Sequence, residues 1–158
     1  MAKNFARLFA DPFLGAYDRF AGAIPTFAAA LLLLLVGMFT GTADIGGQTL
    51  ASAGSLDGYV VAYGAAGGAL WSKHLGGAQN DEISSVAVDC GGNVVIVGSF
   101  RATAYLDGAS LTTAGSDDVV VAKFDPAGAQ LWLHTFGGAG EDHARGVAVD
   151  ATGAVELT

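Results

Sequence analysis

The stretch AGSDDVVVAKFDPAGAQLWLHTFGG, residues 114–138, lies over the earlier stretch 53–77 without a gap. Trp132 then falls on Trp71, so the offset between the two stretches is 61 residues. Carried outward at this offset, the match runs from about Thr42 to the C-terminus with roughly 40% identical pairs. Such identity at one fixed offset indicates a tandem repeat.

Four β-rich segments and one smaller hairpin recur along the repeat. In the clearer copy the four segments are 85–89, 93–100, 118–124 and 130–136. Each is rich in β-branched or alternating apolar residues and is bounded by turn residues. Residues 104–113 predict a smaller hairpin that turns at Asp107-Gly108. Four main strands joined by tight turns are typical of a propeller blade.

The fold class expected from this pattern is mainly β. It is a partial β-propeller of two four-stranded blades plus a leftover hairpin, preceded by a transmembrane or signal-type α-helix. The domain bounds are 1–43 for the helical segment and 44–158 for the repeat region, with copies at about 44–100 and 101–158. A closed propeller needs at least about four blades. The chain is therefore expected to be a fragment, to complete a ring with other copies through open blade edges, or to form an open stack.

Residues 21–39, AGAIPTFAAALLLLLVGMF, carry no charge. As a helix they would span roughly 28 Å, against about 30 Å for the hydrocarbon core of a bilayer. The basic residues of the N-terminal segment all precede this run, and the next basic residue is Lys73. The positive-inside rule thus places the N-terminus in the cytoplasm and the repeats in the periplasm or outside the cell. The segment is an uncleaved anchor, or a signal peptide with small residues 41–43 at its cleavage position.

Residues 33–39 have a second interpretation, because three of them match residues 97, 98 and 100 at the repeat offset. They could descend from a blade strand. The length of the apolar run favours the helix, which is the prediction adopted for the whole of residues 21–39.

Charge and cysteine content exclude several classes of function. Residues 44–158 carry four basic against thirteen acidic residues, and a field of this sign repels nucleic acid. The single cysteine, Cys90, excludes an intrachain disulfide and is expected to be a small buried residue at a strand-to-turn corner.

One motif string resembles a known family. The string D-x-x-V-A-K-F-D-x-x-G-x-x-L-W begins at Asp118, and G-G-x-x-x-D follows at 137–142. V-A-V-D-x-x-G-N-V and V-G-S-F precede them, at 86–94 and 97–100. Over about residues 42–158 this pattern resembles the bacterial β-propeller repeat called the SBBP repeat. The resemblance implies a blade of a secreted or cell-surface bacterial propeller, in a family with no shared catalytic residues.

A looser resemblance covers the N-terminal segment. Residues 1–39 are similar to the first membrane helix of bacterial mechanosensitive-channel-like proteins, with an Ile-Pro step before an Ala/Leu run that ends in Gly and an aromatic residue. No second membrane helix and no channel domain follow Phe39 in the sequence.

Six recurring residues are assigned structural roles. Two tryptophans are expected to pack between blades, and four aspartates are expected to accept backbone N–H bonds at strand-turn corners. These residues are Trp71, Trp132, Asp57, Asp118, Asp89 and Asp150.

The loops GGAQNDE, residues 76–82, and GGAGEDH, residues 137–143, hold the densest polar groups. Their oxygen ligands and Gly spacing suggest Ca²⁺ as a candidate cofactor, although neither loop has the alternating spacing of a calcium loop, so a solvated turn is the main interpretation. The candidate ligands are Asp81, Glu82, Glu141 and Asp142.

No catalytic motif accompanies these loops. His74, His134 and His143 stand at non-equivalent repeat positions, which excludes a symmetric histidine site and predicts surface positions. The expected function is a non-enzymatic, membrane-anchored or exported module that binds protein or glycan at the bacterial cell surface. One alternative is a hydrolase that uses Glu141 and Asp142 as its carboxylates. The other is a channel-like membrane protein with the repeats as an appendage.

Overall fold

The computed structural model describes residues 33–158, and this part of the chain is mainly β. Its strands are β1 (Leu33–Phe39), β2 (Thr42–Ile45), β3 (Gln48–Ala51), β4 (Asp57–Tyr63), β5 (Ala69–Gly77), β6 (Glu82–Val88), β7 (Val94–Leu106), β8 (Ala109–Phe124), β9 (Gln130–Phe136), β10 (Val147–Val149) and β11 (Val155–Leu157). Within these residues no helix has the length and apolar character needed to cross a membrane.

Strands β6, β7, β8 and β9 form a four-stranded antiparallel unit, called here the second repeat. They coincide with the four segments that the sequence predicts, and β9 has the predicted bounds. Valine and isoleucine fill β7 from Val94 to Val97, and such residues favour a pleated strand that is buried on both faces. Strands β6 and β7 thus belong to the same unit as β8 and β9. The boundary between the copies 44–100 and 101–158 falls inside this unit, within β7.

Strands β7 and β8 continue beyond this unit as one long ribbon. They contain 13 and 16 residues and meet at Asp107 and Gly108, whose φ values of 52° and 84° are left-handed. The predicted turn is therefore confirmed, but the hairpin at 104–113 is the distal part of this ribbon. A β-bulge between Arg101 and Thr103, with Ala102 at a φ of 60°, separates the two parts.

The first repeat consists of β1, β4 and β5 with the small hairpin β2–β3. Its cross-strand register is that of the second repeat shifted by 61 residues. Leu33 pairs with Tyr63, as Val94 pairs with Phe124. The pairing of β4 with β5 has the same register as that of β8 with β9, including the position of the bulge. The repeat seen in the sequence is thus also a repeat of the backbone.

The third repeat is the hairpin β10–β11, which corresponds to β6 and the start of β7. Val147 pairs with Leu157, as Val86 pairs with Ile96. The sheets remain open: β11 pairs only with β10 among residues 33–158, and β9 pairs only with β8.

The helix predicted over residues 21–39 is wrong at its C-terminal end. Leu33–Phe39 is strand β1, and each of its seven residues pairs with a residue of β4. This pairing satisfies the backbone groups along β4, while Leu34 and Val36 pack against the core. The preceding part of the apolar run, residues 21–32, lies outside the described residues. The small residues 41–43, expected at a cleavage position, lie between β1 and β3 and include the start of the paired strand β2.

Two apolar clusters hold the repeats together. The larger cluster lies between the first and second repeats. It includes Val60, Trp71, Leu75, Ile96, Phe100, Val120, Ala122 and Phe124. The smaller cluster joins the second repeat to the third. It includes Val95, Val97, Val119, Val121 and Ala144, with Trp132, Val147, Val149 and Val155 packed against it. Packing between consecutive repeats is therefore the source of the buried core.

Candidate functional site

A buried aspartate marks the same corner of the first and second repeats. Asp57 and Asp118 each accept, through Oδ2, the backbone N–H of the residue four positions earlier, which is Ala53 or Ala114, at 2.9 Å. In the first repeat, Nε2 of His74 lies 2.7 Å from the same oxygen of Asp57. His74 keeps 29% of its side chain exposed and also contacts Asp57, a partner that the sequence did not predict.

A second pair of aspartates ends the first strand of the second and third repeats. Asp89 and Asp150 each accept the backbone N–H groups two and four residues further on, at distances between 2.7 and 2.9 Å. The ammonium of Lys123, at 2.7 Å, holds the pKa of Asp89 well below its usual range. The hydroxyl of Thr152 lowers the pKa of Asp150. These residues stabilise turns.

The two tryptophans occupy unequal surroundings. Trp71 is 9% exposed, its ring lies 5.9 Å from that of Phe124, and its Nε1 donates a hydrogen bond of 3.1 Å to the carbonyl of Pro126. Trp132 is only half-buried and stacks beside His134 at 5.4 Å. Trp71 thus lies between two repeats, whereas one side of Trp132 is open.

A polar cleft of about 270 Å³ lies beside the loop that joins β5 to β6. It is lined by Met38, Leu56, Asn80, Asp81, Glu82, Ser99, Arg101, Asp117 and His143. The wall contains residues of both the first and the second repeat. The cleft is therefore created by packing the repeats together.

Arg101 binds two carboxylates at this cleft. Its Nη2 donates to Oδ2 of Asp117 at 2.7 Å and to Oε1 of Glu141 at 3.2 Å, and its Nε donates to the other oxygen of Asp117. Asp117 is 8% exposed, and its hydrogen bonds with the guanidinium hold the pKa of its carboxyl below the ordinary value. The bidentate geometry fixes the orientation of Arg101.

Asp81 is the most deeply buried acid of the cleft wall, with 1% of its surface exposed. Its Oδ1 accepts the backbone N–H of Arg101 at 3.1 Å, while its Oδ2 has no hydrogen-bond partner within residues 33–158. Burial raises the pKa of Asp81 to about 6; the Arg101 amide acts against this, and the nearby Asp57 carboxylate adds to it. A proton or a cation would therefore stabilise this carboxylate.

His143 joins the cleft to the ion pair. Its Nδ1 lies 3.1 Å from Oγ of Ser99, and its Nε2 lies 3.6 Å from Oδ2 of Asp117. The ligand atoms of Asp117, Glu141 and His143 all lie within 4.8 Å of one another, as a divalent cation requires. Because Arg101 already binds both carboxylates, a metal ion would have to displace the guanidinium.

The structure separates the four predicted metal ligands. Asp81 and Glu82 line the cleft, and Glu141 lies beside it through its contact with Arg101. Asp142 is bound within its own loop, where its Oδ2 accepts the backbone N–H of Gly138 at 2.8 Å. The four residues thus do not converge on one position.

Sequence reasoning identified Glu141 and the loop that contains His143, but it missed Arg101 and Asp117 at the cleft. A signal for them exists in the repeat itself, because they differ from the residues 61 positions earlier. Arg101, Asp117, Glu141 and His143 correspond to Thr40, Leu56, Asn80 and Glu82. Charged residues that depart from a repeat are not required by its fold, and here three of the four line the cleft.

Cys90 also differs from expectation. It is exposed, in the turn that follows β6, and its Sγ lies 3.5 Å from the carbonyl of Ala151. The predicted buried position is wrong because the neighbouring Asp89 turns the chain outward before this residue.

The described residues thus define a mainly β protein with open sheets and a tandem repeat. A WD repeat-containing protein of Acanthamoeba polyphaga mimivirus, itself uncharacterised, is 27% identical to this chain over 111 residues. The match covers 66% of the chain and spans 8% of the length of that curated relative. No family model matches the chain. The similarity is compatible with a propeller-type repeat fold, and the bacterial type of repeat remains a prediction.

Proposed function

We propose that this chain is a non-enzymatic interaction module of β-propeller type, which binds a partner protein at the cleft between its first and second repeats. The observation that carries this proposal is the concentration of non-repeating charged residues at the cleft. The repeat fold forms with Thr, Leu, Asn and Glu at the corresponding positions of the earlier copy, so the fold does not account for the charges.

The cleft has the chemistry of a polar protein contact. Arg101 is held by two carboxylates and remains 41% exposed at its side chain, so it presents a preoriented guanidinium edge. Met38, 49% exposed, adds an apolar surface at the same cleft. Arginine and methionine are enriched in protein interfaces. A glycan site would more typically offer an aromatic platform, so a protein partner is favoured over a glycan.

The propeller assignment is supported by three features. The strand registers repeat at one offset, Trp71 packs between consecutive repeats, and a similar protein is named for its WD repeats. WD repeats are propeller blades. We assign the repeat to the bacterial SBBP type on the motif string alone.

The test replaces the cleft residues by those of the earlier copy. A variant with Arg101→Thr, Asp117→Leu, Glu141→Asn and His143→Glu retains a sequence that the repeat already accommodates. Wild type and variant are immobilised, and bound proteins from an extract of the native host are quantified by mass spectrometry. We expect at least one protein that the wild type enriches to be lost from the variant.

The matched control is Arg145→Ala, which removes an exposed arginine outside the cleft wall. It should capture the same proteins as the wild type. Equal capture by the cleft variant and the wild type, with both folded by circular dichroism, would refute the cleft as the contact surface.

We also propose that the module is exported across the membrane of a bacterial cell. With Leu33–Phe39 in the sheet, the uncharged stretch before it is residues 20–32, a length that suits the apolar core of a signal sequence better than a spanning helix. Cell fractionation tests this: we expect the chain in the envelope or medium. Recovery of the intact chain in the soluble cytoplasm would contradict export.

The hydrolase alternative gains no support from the geometry of its two carboxylates. Glu141 is bound by Arg101, and Asp142 accepts a backbone N–H bond within its own loop. The channel alternative depends on residues 1–32, which lie outside the described part of the chain.

A further inference from the structure

The cleft between the first and second repeats holds more negative charge than its own arginine neutralises. The guanidinium of Arg101 binds Asp117 and Glu141, so these three side chains form one ion-paired group. Asp81 and Glu82 also line the cleft, and within residues 33–158 neither carboxylate forms an ion pair. A cation bound in the cleft would therefore stabilise both of these carboxylates.

The lysines of the described part of the chain do not supply this cation. The ammonium of Lys73 lies 2.8 Å from Oδ1 of Asp107, and that of Lys123 lies 2.7 Å from Oδ2 of Asp89. Both ammonium groups are thus held by other aspartates, neither of which lines the cleft.

Asp81 gives the more direct indication of a missing partner. Its side chain is 1% exposed, and its Oδ1 accepts the backbone N–H of Arg101. Among residues 33–158, its Oδ2 accepts no hydrogen bond. A buried carboxylate oxygen without a donor is costly and rare in folded proteins. A donor that carries positive charge would remove this cost.

The rest of the cleft wall is partly apolar. Met38 and Leu56 line it beside the carboxylates, and Met38 is 49% exposed. A lysine side chain matches this combination, because it has an apolar methylene stem and a charged tip. Its compact ammonium donates in three directions, whereas the planar guanidinium of arginine requires acceptors in its own plane. A volume of about 270 Å³ accommodates one such side chain.

We propose that the cleft binds a lysine side chain of the partner protein, with its ammonium at Asp81 and Glu82. The methylene stem of this lysine lies along Met38 and Leu56. The inference rests on the proposed function, since it names the group by which a partner protein enters the cleft. It makes Asp81 and Glu82 the residues that select the partner.

The probe is the peptide Ac-Gly-Lys-Gly-NH2, titrated into the isotope-labelled chain and followed by NMR. We expect saturable shifts of the backbone amide signals of Asp81, Glu82 and Arg101. The matched peptide contains Nε-acetyl-lysine, which keeps the stem and removes the charge. It should bind roughly tenfold more weakly.

Substitutions in the chain locate the contact. Glu82→Gln removes one of the two charges with little change in size, and it should weaken peptide binding roughly tenfold. Asp81→Asn should have a similar effect; if this variant fails to fold, Glu82→Gln still decides. Glu156→Gln is the matched control, because it removes the same charge from an exposed acid that does not line the cleft. It should bind the peptide as the wild type does.

Three results would overturn the proposal. The first is equal binding of the lysine peptide and the acetylated peptide. The second is an unchanged affinity of Glu82→Gln for the lysine peptide. The third is Ca²⁺ that shifts the same amide signals and excludes the peptide, which would assign the carboxylates to a metal ion.

Capture from the host extract separates this inference from the proposed function. Glu82→Gln should lose the proteins that the cleft variant with four substitutions loses. If Glu82→Gln retains them while the cleft variant does not, the cleft is the contact surface and the lysine assignment is wrong. If both variants retain them while the lysine peptide still binds at Asp81 and Glu82, the proposed function fails and the lysine site stands.

Discussion

Asp57 and Gly76 explain, at the level of single residues, why an aspartate and a Gly-Gly pair recur together in the repeat. A Cβ atom at Gly76 would overlap the carboxylate of Asp57, and one at Gly137 would overlap that of Asp118. The carboxylate is buried and bound to backbone, so it has little room to move. The glycine leaves the space that the aspartate fills.

We therefore predict that Gly76→Ala destabilises the protein by about 1–3 kcal/mol, the cost of overpacking at a filled site. Urea denaturation measures this change. Gly140→Ala is the matched control, because a Cβ there meets nothing within 4 Å. Equal stability of the two variants would contradict the steric role of Gly76.

The raised pKa of Asp81 makes the stability of the protein depend on pH. Its pKa is raised to about 6 in the folded protein, against about 3.9 in an unfolded chain. The folded state therefore holds this proton more tightly, and its stabilising effect is lost as the pH rises from about 4 through 6. The pKa values of Asp89, Asp117 and Asp150 are lowered in the folded protein. Their charged forms therefore stabilise the fold above about pH 4, and this stabilisation is lost as the pH falls below that value.

The variant Asp81→Asn isolates this effect, because the amide keeps an acceptor for the backbone N–H of Arg101 and does not titrate. We expect its melting temperature, relative to that of the wild type, to rise between pH 4 and 7. The neighbouring charged groups, Asp57, His74 and Arg101, are present in both proteins. A difference that stays constant over this range would show that Asp81 is not the group responsible.

Elements in equivalent positions need not contribute equally to stability. Trp71 is buried between two strand pairs, whereas Trp132 is half-buried and packs against the third repeat. We predict that Trp71→Ala costs about 3–5 kcal/mol of unfolding free energy, as for a fully packed aromatic residue. Trp132→Ala should cost below about 2 kcal/mol.

Denaturant midpoints of the two variants measure this difference. Trp71 and Trp132 occupy the same position of the repeat, so each variant serves as the control for the other. Equal losses would mean that the third repeat covers Trp132 as well as β8 covers Trp71.

Most of the strands could be predicted from sequence, because turn residues and alternating apolar segments recur at one offset. Strand β1 could not, since an apolar run has no period that distinguishes helix from strand. Its three matches at the repeat offset were the correct signal, and pairing with β4 decided the outcome. For the continuous β7–β8 ribbon, the sequence indicated the turn at Asp107-Gly108 but not the bulge at Arg101.

The candidate site was only partly predictable. Asp81 and Glu82 were identified because polar residues cluster in their loop. Arg101 and Asp117 were missed because they lie 16 positions apart along the β7–β8 ribbon and meet only when its strands pair. Long-range contacts of this kind follow from the register of the paired strands, which the spacing of residues along the sequence does not give.

The whole molecule is held together by contacts between successive repeats. Each repeat buries one face against the next, so the apolar clusters lie at the two junctions. In such a protein, stability is roughly a sum of repeat and junction contributions. The cleft between the first two repeats is a consequence of this stacking.

Successive repeats share one backbone register, displaced by 61 residues. Cross-strand backbone NOEs of the isotope-labelled protein test it most directly. We expect contacts for Phe39 with Asp57 and for Phe100 with Asp118, together with the other pairs of β1–β4 and β7–β8. Helical contacts within Leu33–Phe39, or registers that differ between the two strand pairs, would contradict it.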